Sequence, residues 1–430
     1  MSSVLGVELP ATWSTAPLKH ATSLLSRGSA PNYAEVGPVR AISQATNQAN
    51  GLDWARSRFH DFRGDPKTLK GYLLPGDVLI NSTGKGTLGR IGYFTVAPDM
   101  HPCMADSHVT VARTRSDILD SRFAYYWLGS LPLQKFMHTA LIVGATNQIE
   151  LNRDRLGEAP IPLPPVEEQR RIAKFLDAET TKVALLRSRF SRLSALLEER
   201  QAALLTACFE VSGEPDHSFS LVPLRRIVER WIDYRGSTPE KTSTGIPLVT
   251  ARNIRNGRID LSTSREYIAE ESYDAWMRRG LLKRADVLLT TEAPLGQVAM
   301  VTDPAVALAQ RVIVLRANSD KCPDEWLYWY LRSPQAQVEL RLRATGSTAL
   351  GIKADRLRGV PIPIVDRTLA ERRLFTLRLQ MSQCDELLNK MSLGEELLTE
   401  RLQTLITAAV TGQFDVSTAS GRNVTDGVSA

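Results

Sequence analysis

The sequence predicts an α+β protein with two similar globular domains and two long helices that pair as an antiparallel coiled coil. Three observations support this fold class. The chain repeats itself about 200 residues apart. Two long segments place apolar residues at alternating spacings of three and four. The remaining chain consists of short apolar runs separated by glycine and proline, as in small mixed domains.

The duplication is visible in short sequence segments that recur in the same order. Pro160-Ile161-Pro162 returns as Pro361-Ile362-Pro363, and Asp154-Arg155-Leu156 returns as Asp355-Arg356-Leu357, both 201 residues later. The aromatic run at 125–128 is answered by another at 328–331. Chance matches would not keep this order, so the chain is predicted to be a tandem repeat of two related units.

Each repeat begins with a globular part, at residues 1–165 and 213–366. Val78-Leu79-Ile80, a turn-rich loop and Ile91-Gly92-Tyr93-Phe94 predict two strands of a hairpin. An aromatic-rich helix is expected at 123–140 and again at 325–344. Its aromatic clusters are interpreted as core rather than as a base-stacking surface, because leucines accompany them in both copies.

Each repeat ends with a long helix, predicted at 166–212 and 367–412, and residues 413–430 are expected to form a flexible tail. The linker after the first helix is short, so the second helix can pair with the first only by running back, which relates the two globules by a pseudo-two-fold axis. Two unrelated amphipathic surface helices are the alternative. The predicted helix–helix contacts are Ile172, Leu176, Val183, Leu186, Phe190, Leu193, Leu197 and Leu204 in the first helix, and Leu374, Leu377, Met381, Leu388, Met391, Leu398, Leu402 and Leu405 in the second.

Composition excludes several classes of protein. Lys and Arg total 53 against 47 for Asp and Glu, a net charge of +6 that is compatible with nucleic-acid binding without requiring it. The 4 cysteines form no CxxC pair, so neither a zinc site nor a disulfide framework is expected. With no signal peptide and no apolar run of membrane-spanning length, a cytoplasmic protein is expected. We find no amino-methyltransferase motif, nuclease core or metal-spaced histidine cluster, so neither catalytic residues nor metal ligands are predicted.

Several polar loops carry side chains of the kinds that contact nucleic acids. Gly84-Lys85-Gly86-Thr87 fails the Walker A spacing and is interpreted as a hairpin loop, and the 252–258 segment is rich in the side chains that read guanine and adenine. Turn and cap roles are the alternative for all of these residues. The candidates are Ser82, Thr83, Lys85, Arg90, Asn147 and Gln148 in the first repeat, and Arg252, Asn253, Arg255, Asn256, Thr291, Gln297, Ser347 and Thr348 in the second.

The local sequence of the repeats resembles that of the specificity subunits of type I restriction-modification enzymes. The matching segments are 77–84 (DVLINSTG), 160–170 (PIPLPPVEEQR), 172–177 (IAKFLD), 198–207 (EERQAALLTA) and 402–412 (LQTLITAAVTG). The second copy departs at 366–371 (DRTLAE), which lacks the Pro-Glu-Glu-Gln wording.

The resemblance implies that each globule is a target recognition domain that reads one half of a split, asymmetric double-stranded DNA site. It implies that the helices dock two methyltransferase subunits and that restriction subunits join the complex. It also implies a chain with no catalysis and no cofactor of its own, since S-adenosylmethionine, ATP and Mg²⁺ would act on the partners. A structural adaptor built on an antiparallel helical rod, without DNA, is the alternative function.

Overall fold

The computed structural model describes residues 3–84, 86–144, 149–210, 220–234, 238–346 and 350–416. The chain divides into two compact units. Unit 1 comprises Met1–Phe190 and Leu393–Ala430, and unit 2 comprises Ser191–Ser392. Each unit contains one mixed α+β domain and parts of the two long helices, which confirms the predicted fold class.

The elements are numbered along the chain. Domain 1 contains the strands β1 (Ser3–Val4), β2 (Val7–Glu8), β3 (Ser14–Pro17), β4 (Thr22–Arg27), β5 (Tyr33–Ala34), β6 (Val39–Ile42), β7 (Asn47–Gln48), β8 (Gly51–Leu52), β9 (Arg58–His60), β10 (Val78–Asn81), β11 (Ile91–Tyr93), β12 (Cys103–Ala105), β13 (Val109–Thr114), β14 (Ile142–Val143), β15 (Glu150–Leu151) and β16 (Pro160–Leu163). Its helices are α1 (Leu18–Ala21), α2 (Ser121–Leu128), α3 (Leu131–Phe136) and α4 (Arg153–Gly157), and the long helix α5 (Val166–Phe209) follows.

Domain 2 repeats this plan. Its strands are β17 (Ser220–Pro223), β18 (Val228–Asp233), β19 (Ile246–Val249), β20 (Ile254–Arg255), β21 (Arg258–Ile259), β22 (Tyr267–Ile268), β23 (Val287–Thr290), β24 (Val298–Met300), β25 (Ala307–Leu308), β26 (Val312–Ala317) and β27 (Pro361–Ile364). Its helices are α6 (Tyr273–Trp276), α7 (Asp324–Arg332), α8 (Pro334–Arg343) and α9 (Ala354–Arg358), and the long helix α10 (Arg367–Val410) follows.

The same four-stranded antiparallel sheet forms the centre of both domains. Its strand order is β11-β10-β13-β4 in domain 1 and β24-β23-β26-β18 in domain 2. Val78 lies opposite Tyr93 and Val287 lies opposite Met300, so the two hairpins share one register. All four residues of β10 and of β23 are buried because apolar clusters cover both faces of the sheet.

A buried ion pair holds the base of this hairpin in each domain. Asp77 accepts hydrogen bonds of 2.8 Å from Arg113 Nε and Nη2, and Asp286 accepts bonds of 2.7 and 2.8 Å from Arg316. Both carboxylates are about 1% exposed. In both copies the acidic residue precedes the hairpin strand and the arginine lies on the neighbouring strand, so the pair belongs to the common framework of the domains.

The aromatic helices α2 and α7 lie in the core, as their interpretation required. Trp127 and Trp326 are each 1% exposed. Their indole N–H groups find buried acceptors, since Trp127 donates to the carbonyl of Pro160 at 3.2 Å and Trp326 to that of Pro363 at 2.7 Å. The repeated Pro-Ile-Pro strands, β16 and β27, therefore join each aromatic helix to the long helix that follows.

The long helices begin differently in the two copies. In α5 the buried side chain of Gln169 donates to the carbonyls of Ile118 and Pro164 at 3.0 and 2.8 Å. The same position in α10 is the buried Ala370. There Asp366 accepts from the backbone N–H of Thr368 at 2.9 Å and so caps the helix N-terminus. The second copy, which lacks the Pro-Glu-Glu-Gln sequence, thus holds the start of its long helix with Asp366, where the first copy uses Gln169.

Within each unit the segments of α5 and α10 run antiparallel. In unit 1, Phe175 of α5 stacks on Phe414, which follows α10. Arg187, further along α5, forms a hydrogen bond with Thr399 of α10. In unit 2 Gln201 donates to Asp385 at 2.7 Å, and Arg373 donates to the carbonyl of Cys208 at 2.9 Å. In both units the partner number falls as the α5 number rises, which defines antiparallel pairing.

The buried stripe of α5 differs from the predicted one at alternate positions. Leu186 and Leu193, predicted helix contacts, are 38% and 47% exposed, and those two predictions are wrong. The half-buried positions of this stripe are instead Arg187, Ser194 and Gln201, all of them polar. Arg187 and Gln201 form hydrogen bonds across the helix pair. Among the other predicted contacts the structure buries Ile172, Leu176, Leu197, Leu374, Leu377, Met381, Met391 and Leu405, and it half-buries Val183, Phe190, Leu204, Leu388, Leu398 and Leu402.

Candidate nucleic-acid interface

The predicted hairpin loop and the loop ahead of the long helix meet in each domain. In domain 1 Thr83 bridges to Glu150, and the N–H of Leu151 donates to the carbonyl of Ser82 at 2.8 Å. In domain 2 the N–H of Ile352 donates to the carbonyl of Thr291 at 3.0 Å. The structure therefore brings together two segments that are more than 50 residues apart in sequence.

Three of the predicted DNA contacts are buried and already hydrogen-bonded. The Ser82 and Thr110 hydroxyls bond at 2.5 Å, and Thr291 Oγ1 donates to the carbonyl of Arg311 at 3.4 Å. Asn253 donates to two carbonyls of its own loop at 3.0 and 2.8 Å. None of the three is more than 1% exposed. Their predicted DNA contact is corrected to a structural role, because buried polar groups that are hydrogen-bonded within the domain present no free group to a ligand.

Three further candidates are half-buried. Thr83 bonds to His108 Nδ1 at 2.8 Å, and Arg90 donates to the Gln48 side chain at 2.9 Å and to the carbonyl of Asn47 at 3.1 Å. Gln297 is half-buried in the equivalent loop of domain 2. The remaining loop candidates, Lys85, Asn147, Gln148, Ser347 and Thr348, lie outside the described residues.

The second repeat carries an arginine-rich hairpin that the first does not. Arg255 and Asn256 are exposed at the tight turn between β20 and β21, and Arg252 is exposed just ahead of β20. Asn256 and Gly257 both have positive φ, 49° and 80°, as a two-residue hairpin turn requires. The equivalent hairpin of domain 1, β7 with β8, has no arginine.

Hydroxyl groups keep a carboxylate charged beside this hairpin. The Ser262 and Thr263 hydroxyls donate to Asp260 at 2.6 and 2.8 Å and hold the pKa of that carboxyl below its usual range. The positive charge of Arg255 acts on the pKa of Asp260 in the same direction. The arrangement offers guanidinium donors, the groups that bind guanine edges and phosphates.

The two hairpin loops carry different chemistry at matched positions. Thr83 pairs with His108 in domain 1, whereas Glu292 pairs with Arg311 at 3.1 Å in domain 2. The sheets beneath these pairs have the same strand order and register, so at this position the two domains differ in their loop side chains.

A glutamine in each domain anchors the hairpin loop, and our prediction from the sequence missed it. Gln134 Nε2 donates to the carbonyls of Gly89 and Leu128 at 2.9 and 2.7 Å. Gln337 Nε2 donates to the carbonyls of Gly296 and Leu331 at 2.8 and 2.7 Å. The offset of 203 residues, shared with the aromatic runs, is the signal that could have revealed it.

The described residues contain no group of three or more His, Cys, Asp or Glu side chains placed to hold a metal ion. A search of the described helices for one that is long and apolar enough to cross a membrane finds none.

Comparison with known proteins gives consistent matches. Residues 34–193 match the type I restriction modification DNA specificity domain. The chain is 23% identical over 373 residues to the EcoBI specificity subunit of Escherichia coli, covering 76% of each chain. It is 19% identical over 436 residues to the putative MjaX specificity subunit of Methanocaldococcus jannaschii, covering 96% of each.

Solved structures share the fold. A chain from a study of complex assembly and conformational transition in the type I R-M system aligns with a TM-score of 0.71 at 18% identity, covering 95% of this chain and 100% of that one. The HsdS subunit of Thermoanaerobacter tengcongensis aligns with a TM-score of 0.52 at 18% identity, covering 96% and 100%. Residues 34–193 thus carry the type I restriction modification DNA specificity domain, and the tandem repeat, the paired long helices and the remaining matches make the whole chain similar to type I restriction enzyme specificity subunits.

Proposed function

We propose that the chain reads a bipartite, asymmetric DNA site and directs methyltransferase subunits, and through them restriction subunits, to it. Domain 1 (1–165) and domain 2 (213–366) would each read one half-site, and the helices at 166–212 and 367–412 would dock the partners. The observation that carries the proposal is the repeated framework with different loop surfaces. Two copies of one fold that present different side chains suit two half-sites of different sequence.

The exposed side chains differ between the two domains, which supports different DNA contacts by each. Arg252, Arg255 and Asn256 offer base-reading groups in domain 2 only. In domain 1 the half-buried Thr83 and Arg90 lie in the loop that includes Lys85. We expect the domain 2 half-site to contain guanine, the base that arginine most often reads.

Exposed apolar side chains on the long helices support partner docking. Large apolar groups that remain exposed in contiguous patches mark interaction sites. Exposed large apolar side chains occur on the long helices in both units: Leu185, Leu186, Leu393 and Leu397 in unit 1, and Leu193, Leu196, Phe375, Leu379 and Leu387 in unit 2. Two such surfaces fit two methyltransferase subunits. S-adenosylmethionine, ATP and Mg²⁺ would then be bound by the partner subunits.

Methylation mapping tests the proposal. The chain is co-expressed with its cognate methyltransferase subunit, and the methylated bases are located by sequencing. One split, asymmetric motif is the expected result. Replacing residues 1–165 by the equivalent domain of another specificity subunit should change one half of the motif and leave the other half and the spacing unaltered.

Two controls make the mapping decisive. The methyltransferase subunit alone should leave the motif unmethylated. The Arg252→Ala/Arg255→Ala variant should lose about 1–3 kcal/mol of discrimination at bases of one half-site only. Methylation of palindromic or random sites, or a domain exchange that alters both halves, would contradict the proposal.

A further inference from the structure

An open cavity lies on domain 2, beside the first turns of α10. Its volume is about 390 Å³, and its lining includes Arg258, Met300, Glu325, Trp329 and Arg378. All of these residues belong to unit 2. The cavity therefore adjoins both the arginine-rich hairpin and the long helix.

The cavity combines apolar walls with two guanidinium groups. Met300 and the rings of Tyr328 and Trp329 supply the walls. Arg378 contacts Glu325 at 3.4 Å, and this pair is half-exposed, at 51% and 37%. Arg258 is exposed. Two arginines against one glutamate leave the cavity with a net positive charge, so it favours an anion.

The equivalent position in domain 1 is filled by the domain's own side chain. Arg122 occupies the place of Glu325, and its guanidinium lies 4.5 Å from the Tyr93 ring centroid and 5.4 Å from that of Tyr126. Asp177, in the place of Arg378, accepts hydrogen bonds of 2.8 Å from Arg122 Nε and 2.6 Å from the Tyr126 hydroxyl. The charges of this pair are therefore reversed between the two copies.

This reversal is local. The Asp77–Arg113 pair of domain 1 and the Asp286–Arg316 pair of domain 2 keep one polarity. The contact between the aromatic helix and the long helix changes sign, whereas this buried pair does not. In domain 2 the stacked guanidinium is instead that of Arg332, 5.1 Å from the Tyr328 ring centroid and 4.7 Å from that of Trp329. The cavity is lined by Glu325 and Arg378, the counterparts of Arg122 and Asp177.

The shape of the cavity decides between two kinds of anion. A phosphate on duplex DNA projects from a broad, hydrated backbone, which fits exposed arginines but not a recess with apolar walls. A carboxylate on an aliphatic stem fits both features, because the stem contacts the walls and the oxygens bind the guanidinium groups. Phe375 and Leu379 are exposed on α10 next to Arg378, which adds a protein-binding surface beside the cavity.

We propose that the cavity lined by Arg258 and Arg378 receives a carboxylate side chain of a methyltransferase subunit. The proposal rests on the proposed function, since it requires that such a subunit binds this chain. Domain 1 has no matching receptor because Arg122 fills the position. The two methyltransferase subunits would consequently bind with unequal affinity, the one next to domain 2 more tightly.

Stepwise assembly tests this asymmetry. The full-length chain is titrated with its methyltransferase subunit, and the complexes with one and with two copies are quantified by native mass spectrometry. Arg258→Glu and Arg378→Gln should each weaken one of the two binding steps about ten-fold and leave the other unchanged. Arg265→Glu is the control, since Arg265 is an exposed arginine of the same domain that neither lines the cavity nor is a candidate DNA contact, and this variant should leave both steps unchanged.

Each other outcome is informative. Equal binding by the wild type and both cavity variants overturns the proposal. Unchanged assembly with a weaker, less salt-dependent DNA affinity would assign the cavity to a DNA phosphate and also overturn it. A wild-type chain that binds no methyltransferase subunit would contradict the proposed function itself. Thermal unfolding followed by circular dichroism, unchanged in Arg258→Glu, would show that any loss of binding is not a loss of fold.

Discussion

At the scale of single residues, burial decides which polar groups support the fold and which can face a ligand. Asp106 is an example of a buried polar residue that supports the fold. It is 2% exposed and accepts hydrogen bonds from the Tyr33 hydroxyl at 3.2 Å and the His108 N–H at 2.8 Å. Burial raises the pKa of the Asp106 carboxyl, and burial together with this carboxylate raises the pKa of Tyr33 to about 12.

The raised pKa of Asp106 gives a pH-dependent stability with a defined sign. The folded state holds the proton more tightly than the unfolded state, so the free energy of unfolding falls as pH rises from the usual carboxyl value through the folded one. Asp106→Asn removes this loss and can keep both hydrogen bonds, so we expect it to be more stable than the wild type at neutral pH. The advantage should shrink towards pH 4, as measured by urea unfolding at both pH values. An advantage that is constant or grows on acidification would contradict the assignment.

Residue-level roles were only partly predictable from the sequence. Ser82, Asn253 and Thr291 have the side chains of base readers, but their burial depends on strands and loops distant in sequence. The aromatic residues of α2 and α7 were predictable as core, since leucines accompany them in both copies. Polarity alone does not distinguish a turn that satisfies itself from one that offers donors outward.

At the scale of elements, the long helices show what periodicity can and cannot define. The spacing in α10 predicted its buried stripe because apolar residues occupy nearly every position of it. In α5, alternate positions of the buried stripe are the polar residues Arg187, Ser194 and Gln201. Leu186 and Leu193, one residue before the first two, fit the same three-four spacing although they are exposed. The apolar spacing therefore predicted the helix and half of its stripe. The other half consists of polar side chains, two of which, Arg187 and Gln201, form hydrogen bonds across the helix pair.

Two adjacent leucines of α5 test this assignment. Leu197 is 7% exposed and Leu196 is 52% exposed. Leu197→Ala should lower the free energy of unfolding by about 2–3 kcal/mol, because it leaves a cavity between the helices. Leu196→Ala, the matched control, should change it by less than about 0.5 kcal/mol. Chemical denaturation measures both, and equal losses would show that the stripe is wrongly placed.

At the scale of the whole molecule, unit 1 is assembled from segments far apart in the chain. Leu405, Ala409 and Val410 of α10 belong to the same buried cluster as Ile172 and Leu176 of α5. The carbonyl of Gly129 accepts from the Gln403 side chain at 3.0 Å, and the N–H of Leu131 donates to Thr407 at 3.4 Å. Domain 1 therefore relies on a segment that follows domain 2.

Removal of residues 393–430 should loosen domain 1 although its own sequence is intact. We expect faster amide hydrogen exchange in α2 and in the first turns of α5, because Ile172 and Leu176 lose their cover. Exchange in β23 and β26 of domain 2 should stay as in the full-length chain, which supplies an internal control. Mass spectrometry of the exchanged peptides measures both, and uniform acceleration or no change would contradict the division into these two units.

The origin of unit 1 from two distant segments also has a consequence for biosynthesis. About 200 residues must be translated between Phe190 and Leu393, which takes on the order of 10–40 s at bacterial elongation rates of about 5–20 residues per second. During that interval the nascent first domain keeps its apolar flank uncovered on the ribosome. It becomes complete only after the second domain has emerged, so a prematurely terminated message yields a chain whose earliest-made domain is the defective one.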